Sequence, residues 1–328
     1  MMPMLPAQDQ KADADMQLVL DQLAAFHAPK LPTVTPRIAR ELPSFADALQ
    51  GALSAQGKPS VEAVAMVTHK VIEGPAGPLL LRIYTPQGTA PFPVVLYYHG
   101  GGFVIANLDT YDASPRSLAN GTGAIVVSVA YRQAPEFPFP AAPDDAFAAY
   151  RWVLANAASI GGDPKRVAVA GESAGGNLAT VVTMRAMHHN AMMPLHQLLV
   201  YPVTNFVKGP PPPSYTENPT TIPLATPDLT WFGKYYLATP SQAMNPLASP
   251  LHGALAGMSP ATIINADLDP LRDDGATYAG ALKAAGVKVT RTVYRGVTHE
   301  FFGMGAAVAK AKSAMQEGAT ALKSALST

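Results

Sequence analysis

Ser173 lies in Gly171-Glu172-Ser173-Ala174-Gly175, between the apolar run Arg166-Val167-Ala168-Val169-Ala170 and a helical pattern that opens at Ala174. A serine flanked by glycines on a sharp strand-to-helix turn presents its hydroxyl as a nucleophile. Such a turn strains the backbone, so the neighbours must be small. It also sets the hydroxyl at a helix N-terminus, where developing negative charge is stabilised. The chemistry open to this serine is acyl transfer. That needs three further parts: a base for the hydroxyl proton, an acid to orient the base, and N–H donors for the oxyanion. The pentapeptide alone is a weak signal, because small residues gather in any tight turn, and its weight depends on the other parts.

The candidate base is His299, in Arg295-Gly296-Val297-Thr298-His299-Glu300, just after a strand predicted over residues 287–294. Loops at the C-terminal ends of strands are where ligand chemistry gathers in open α/β sheets; the competing reading is a surface histidine capping the last helix. His188 and His189 close a predicted helix and read as solvated, and His27, His69, His196 and His252 belong to no chemical constellation. The acid is sought in Asp267-Leu268-Asp269-Pro270-Leu271-Arg272-Asp273-Asp274, after a strand predicted over residues 261–266. Asp273 and Asp274 suit the first turn of the next helix. Pro270 holds Asp269 out of helix, which makes Asp269 the candidate and Asp267 the alternative. His99-Gly100-Gly101-Gly102-Phe103 follows an early apolar run, and its glycines let N–H groups turn inward with no side chain in the way. The candidate oxyanion donors are the N–H groups of Gly101, Gly102 and Ala174; a flexible turn before a helix is the bland alternative. The chain order Ser173, Asp269, His299 is that of the α/β-hydrolase fold. His299-Glu300-Phe301-Phe302-Gly303 opens like a zinc-protease motif but lacks its second histidine, and Gly121-Thr122-Gly123 precedes a strand, backwards for dinucleotide binding. No metal and no cofactor is called for.

The elements that must hold these residues alternate. Strands are predicted over 61–72, 79–84, 93–98, 124–129, 166–170, 196–201, 261–266 and 287–294, and helices over 144–158, 174–189, 273–285 and 306–326. Continuous apolar strands suit a sheet covered on both faces. The alternation predicts a mostly parallel, doubly wound α/β sheet, with a hairpin through Glu73-Gly74-Pro75-Ala76-Gly77-Pro78 at an antiparallel edge. Residues 13–53 read as helical pieces broken by Pro29, Pro32, Pro36 and Pro43. Between 201 and 261 the rhythm stops: a run of four prolines from Pro210 is followed by Tyr215, Trp231, Phe232, Tyr235 and Tyr236. A long aromatic-bearing insertion in a compact domain is a lid or simply packs onto the body, and both readings stay open.

With 23 basic and 23 acidic residues the chain has no electrostatic footprint for nucleic acid. The absence of cysteine removes disulfides, thiolate metal sites and a cysteine nucleophile. The first residues lack the basic start and apolar run of a signal peptide, and no apolar stretch is long enough for stable membrane insertion, so a cytoplasmic protein is expected. Asn120-Gly121-Thr122 reads as a turn.

Several of these motifs, in order, resemble the hormone-sensitive lipase-like esterases, bacterial lipolytic family IV. Tyr98-His99-Gly100-Gly101-Gly102-Phe103 is similar to the family's glycine-loop signature, and Tyr131-Arg132-Gln133-Ala134-Pro135-Glu136-Phe137-Pro138-Phe139-Pro140-Ala141-Ala142 to its second motif. Gly162-Asp163-Pro164-Lys165-Arg166 leading to Gly171-Glu172-Ser173-Ala174-Gly175-Gly176-Asn177, and Asp269-Pro270-Leu271-Arg272-Asp273, match its elbow and acid loop; the latter favours Asp269 over Asp267. The likeness runs from about Gly74 to the C-terminus. It departs at Glu172, where the family commonly has aspartate, and at Glu300, where glycine is common; a carboxylate beside His299 can raise its pKa or alter pocket entry. The resemblance implies a carboxylesterase for short- to medium-chain esters. It also implies a helical cap from residues 1–55 and 203–238, set on a catalytic domain formed by 56–202 and 239–328. Phe103, Tyr201, Tyr215, Trp231, Phe232 and Tyr236 become candidate pocket walls, His99 a brace for the glycine loop, and Arg132 and Glu136 structural. Family analogy allows a homodimer through the last sheet edge. Amide hydrolysis on the same site, or a ligand receptor with no catalysis, are the rival readings.

Overall fold

The computed structural model describes residues 11–54 and 56–327. The first ten residues, where the signal-peptide reading partly falls, lie outside the described residues, as do Ala55 and Thr328. The strands are β1 (Met66–Gly74), β2 (Gly77–Thr85), β3 (Phe92–Tyr98), β4 (Ile125–Val129), β5 (Gly162–Glu172), β6 (Gln197–Val200), β7 (Ala261–Leu268) and β8 (Val289–Thr298). The helices are α1 (Ala14–Ala25), α2 (Pro36–Ala39), α3 (Phe45–Ser54), α4 (Ala113–Thr122), α5 (Ala141–Asn156), α6 (Ala174–His188), α7 (Pro213–Glu217), α8 (Thr226–Tyr236), α9 (Arg272–Ala284) and α10 (Ala309–Leu326). The strands form one sheet in the order β1-β2-β4-β3-β5-β6-β7-β8. The β1–β2 and β2–β4 pairs are antiparallel and the rest parallel, which makes this the α/β-hydrolase fold with its antiparallel edge.

The central strands read as unbroken apolar runs because each serves two cores. Val94, Leu96 and Tyr98 of β3, with Val167 and Val169 of β5, pack against α5, α6 and α9. The alternate residues Val95, Tyr97, Ala168 and Ala170 pack against α1, α3, α4 and α10. Side chains that alternate across a strand fill both layers only when every position is apolar. A third, smaller core lies apart from these two. It joins Ala39, Val104, Ala134, Val203, Leu224, Trp231, Phe232 and Leu271, which come from six separate segments of chain.

Three sequence expectations shift. β1 begins at Met66 instead of residue 61, and its hairpin closes on Gly74 paired with Gly77, so the strands run into the segment read as a loop. Asn120-Gly121-Thr122 is the last turn of α4, not a free turn. This helix escaped notice because its buried stripe includes Ser114, Pro115 and Thr122 beside Leu118 and Ala119, and so lacks an apolar period. β5 and β8 both run longer than predicted, to Glu172 and Thr298, so Ser173 and His299 each directly follow a strand end.

Candidate active site

Ser173 is the N-cap of α6 with φ 56° and ψ −117°, a backbone region sparsely populated by residues with a side chain. The turn is tight enough that a Cβ on Gly175 would stand 1.8 Å from the Tyr98 carbonyl oxygen. Asn177, one turn into α6, donates to the carbonyls of Val203 (2.9 Å) and Ala248 (2.8 Å), tying the elbow to the two ends of the segment between β6 and β7.

The buried His299 ring holds a 2.7 Å hydrogen bond from Nδ1 to Asp269 Oδ2. The other Asp269 oxygen accepts the Leu271 N–H at 2.8 Å, so the carboxylate is fixed at both ends. Asp267 faces Arg272 at 3.7 Å instead. Burial alone would lower the His299 pKa; the charge and hydrogen bond of Asp269, then the charges of Glu300 and Glu172, outweigh it and leave the pKa raised. Among the described residues no hydrogen bond joins Ser173 Oγ to His299. In unliganded sites this contact is often long and tightens only when substrate binds.

In the glycine loop Gly101 has φ 94°, which a side chain would strain, and its carbonyl accepts the N–H groups of Val104 (3.0 Å) and Ile105 (2.9 Å) in a tight turn. Among the described residues the N–H groups of Gly101, Gly102 and Ala174 have no acceptor, the condition an anion cradle requires. His99 stacks on Tyr131 with ring centroids 4.4 Å apart, and its Nδ1 lies 2.8 Å from the Gly100 carbonyl. Burial pushes its pKa down to about 4, so the ring is neutral at working pH and braces the loop.

The six aromatics singled out in the sequence occupy different places. Tyr201 lies 4.4 Å, centroid to centroid, from the His299 ring. Phe232 covers Gly102, where a Cβ would meet its ring at 2.1 Å. Phe103 stacks on Tyr236 at 3.8 Å within the main core. Trp231 donates to the Val34 carbonyl at 3.0 Å and so binds α8 to the N-terminal segment. Tyr215 is half-buried near Asp274. Arg132 pairs with Asp145 through two 2.8 Å bonds, and Glu136 pairs with Arg40.

Two groups of residues went unread in the sequence. Arg40 donates to the carbonyls of Val104 (2.8 Å) and Ala134 (2.7 Å), linking the N-terminal segment to the glycine loop. Behind the site, Tyr97 donates to Glu172 at 2.5 Å, Tyr201 donates to the same carboxylate, and Tyr111 donates to both oxygens of Glu300 at 2.6 Å. No local pattern announces partners this far apart in the chain; Glu172 and Glu300 stood out as departures and Tyr201 as a pocket wall, but Tyr97 and Tyr111 did not stand out, nor did any of the pairings.

A serine at a strained strand-to-helix turn, a buried imidazole–carboxylate pair and unengaged glycine-loop donors are the parts of a serine hydrolase site on an α/β-hydrolase sheet. A family model described as alpha/beta hydrolase fold matches residues 95–303. The chain is 43% identical over 263 residues to the esterase LipI of Mycobacterium tuberculosis, covering 78% of this chain and 81% of that one. It is 39% identical over 238 residues to an ethyl acetate hydrolase of Pseudomonas putida, covering 71% and 74%. Its fold superposes on a hyperthermophilic esterase of Pyrobaculum calidifontis with a TM-score of 0.87 at 36% identity, covering 96% of this chain and 98% of that one. The chain belongs to the α/β-hydrolase fold family, in its hormone-sensitive lipase-like branch, and is a carboxylic ester hydrolase.

Proposed function

We propose that Ser173, Asp269 and His299 are the catalytic triad of a carboxylesterase for short- to medium-chain acyl esters, with Gly101, Gly102 and Ala174 as its oxyanion donors. The observation that carries this reading is the 2.7 Å bond between buried His299 and Asp269, beside a serine at an elbow. His299 Nε2 takes the Ser173 proton as Oγ attacks the ester carbonyl, and Asp269 holds the tautomer that leaves Nε2 free. The oxyanion settles on the three free N–H groups. His299 then protonates the leaving alcohol, and water resolves the acyl-enzyme by the same route. Residues 1–55 and 203–238 act as the cap. Phe232 over Gly102 and Tyr201 beside His299 are the wall residues this reading favours, because they border the reacting groups. Small soluble esters suit a site covered this closely, and one relative is named for ethyl acetate. β8 is the last strand of the sheet, and its outer edge, away from Arg295 and Gly296, whose carbonyls are taken by Lys310 and Asp13, is where two copies would pair. We place the chain in the cytoplasm, where a cysteine-free sequence is indifferent to the reducing poise. Among the described residues no helix is long and apolar enough to cross a membrane.

Ser173→Ala should fold and lose about 10³-fold or more in ester turnover. Full turnover in the pure variant removes Ser173 from the mechanism. A panel of p-nitrophenyl esters of rising acyl length should give its highest kcat/KM at short to medium chains; a maximum at long chains contradicts the substrate reading. Matched anilides should be turned over far more slowly than esters, and a fluorophosphonate should label Ser173 stoichiometrically.

A further inference from the structure

Glu300 occupies a place its backbone does not favour. It has φ 68° and ψ 1°, left-handed geometry that suits glycine and burdens a residue with a Cβ. Its side chain is buried, with both oxygens accepting from Tyr111 Oη at 2.6 Å. Tyr111 Oη in turn lies against the glycine loop, 2.1 Å from where a Cβ on Gly100 would stand. Thus held, Glu300 Oε1 lies 3.8 Å from His299 Nε2, the nitrogen opposite Asp269. Asp269 and Glu300 therefore bracket the imidazole along its length. The tyrosine that fixes Glu300 comes from a loop 189 positions away.

Resting on the triad reading above, we infer that Glu300 is a positioning residue for His299. It aligns the imidazole from the Nε2 side and stabilises the imidazolium formed when Ser173 attacks. The proton moves from Ser173 Oγ to His299 Nε2 and stays there until it passes to the leaving alcohol; Glu300 takes no proton from the substrate. The groups facing Glu300 are His299 and Tyr111, with Glu172, Asp269, Tyr97, Tyr131 and Tyr201 around them. Burial, aided by Glu172, pushes the Glu300 pKa up to about 7 against the pull of His299 and Tyr111. Because the two groups face each other at 3.8 Å, the acid limb of the rate profile belongs to the pair.

The test is the pH dependence of kcat/KM for Glu300→Gln, which keeps an acceptor for Tyr111 and removes the charge. The acid limb should move down by about one pH unit, as expected on losing an anion this close. A one-unit change corresponds to about tenfold weaker stabilisation of the imidazolium, so kcat on the plateau should fall about tenfold. An unmoved or upward-moved limb overturns the inference, as does a uniform loss of rate at every pH. Where Glu300→Gln fails to fold by thermal melting, Glu300→Gly, which the left-handed backbone accepts, provides the same reading. Ser173→Ala assayed alongside separates the two ideas. Turnover surviving there brings down the hydrolase reading and this inference with it. Turnover lost there, with an unmoved limb in the Glu300 variants, brings down this inference alone.

Discussion

At His299 two electrostatic effects oppose each other. Burial disfavours the imidazolium, whereas Asp269, Glu300 and Glu172 favour it, and the carboxylates win, so the pKa is raised above 6.5. A general base works only when neutral. The rate should therefore be low below that raised pKa and climb as pH rises through it, with half-maximal kcat/KM above pH 6.5. A profile flat from about pH 5 to about pH 9 is incompatible with this base. Asp269→Asn keeps the size of the side chain but removes the charge and allows the wrong tautomer, and kcat should drop about 10³- to 10⁴-fold. Its partner was legible because the proline at Pro270 separates Asp269 from the helix-starting acids Asp273 and Asp274. Tyr97 and Tyr111, which hold Glu172 and Glu300, were not, since a buried tyrosine reads as core in any apolar pattern; Tyr201 was read as a pocket wall and not as a partner of Glu172.

Among the elements, the glycine loop depends on chain far from it. Val104 closes the loop's turn through Gly101, and Arg40 at the end of α2 donates to the Val104 carbonyl and to that of Ala134. The Arg40–Glu136 ion pair is half-exposed on the glutamate side and adds little by itself. The carbonyl contacts matter more, because Val104 and Ala134 are buried and a buried acceptor left unmet costs about 1–3 kcal/mol. Arg40→Ala should lower kcat about tenfold or more while the melting transition moves only modestly, because displacement of the anion cradle costs rate before it costs fold. A kinetic profile equal to the wild type shows that the loop is held by other contacts. Phe232 on α8 caps the same loop at Gly102, so the N-terminal segment and the insertion meet over one feature of the site. The helical pieces of residues 13–53 and the aromatics of the insertion could be read in the sequence, but their meeting could not, because no periodicity encodes which loops touch.

For the molecule as a whole, the fold encloses ionisable groups it must keep neutral. Asp274, buried at the start of α9, has its pKa pushed up to about 7 by burial, with the charge of Asp269 adding to it against a hydrogen bond from Tyr215. The folded state then holds a proton that the unfolded chain releases near the ordinary value of 3.8. This group's stabilising contribution is complete below that value and is lost as pH rises through about 7. Asp274→Asn, which cannot ionise, should be about 2–4 kcal/mol more stable than the wild type at alkaline pH, the difference vanishing in acid. Denaturant unfolding at pH 5 and pH 8.5 measures it; a pH-independent difference shows that Asp274 ionises in the fold as readily as in the unfolded chain, and that burial does not raise its pKa.

The order of strands and helices, the elbow at Ser173, the glycine loop and the acid before Pro270 were determined by the sequence alone, because each is a local matter of spacing, backbone freedom or apolar period. Helix α4 lay hidden because small polar residues line its buried face. The tertiary structure alone decided which tyrosine grips which glutamate, that Arg40 reaches the glycine loop, and that Asp269 and Glu300 stand on opposite sides of one imidazole. Those contacts join residues from distant segments, and their geometry exists only once the sheet has brought its strand ends together.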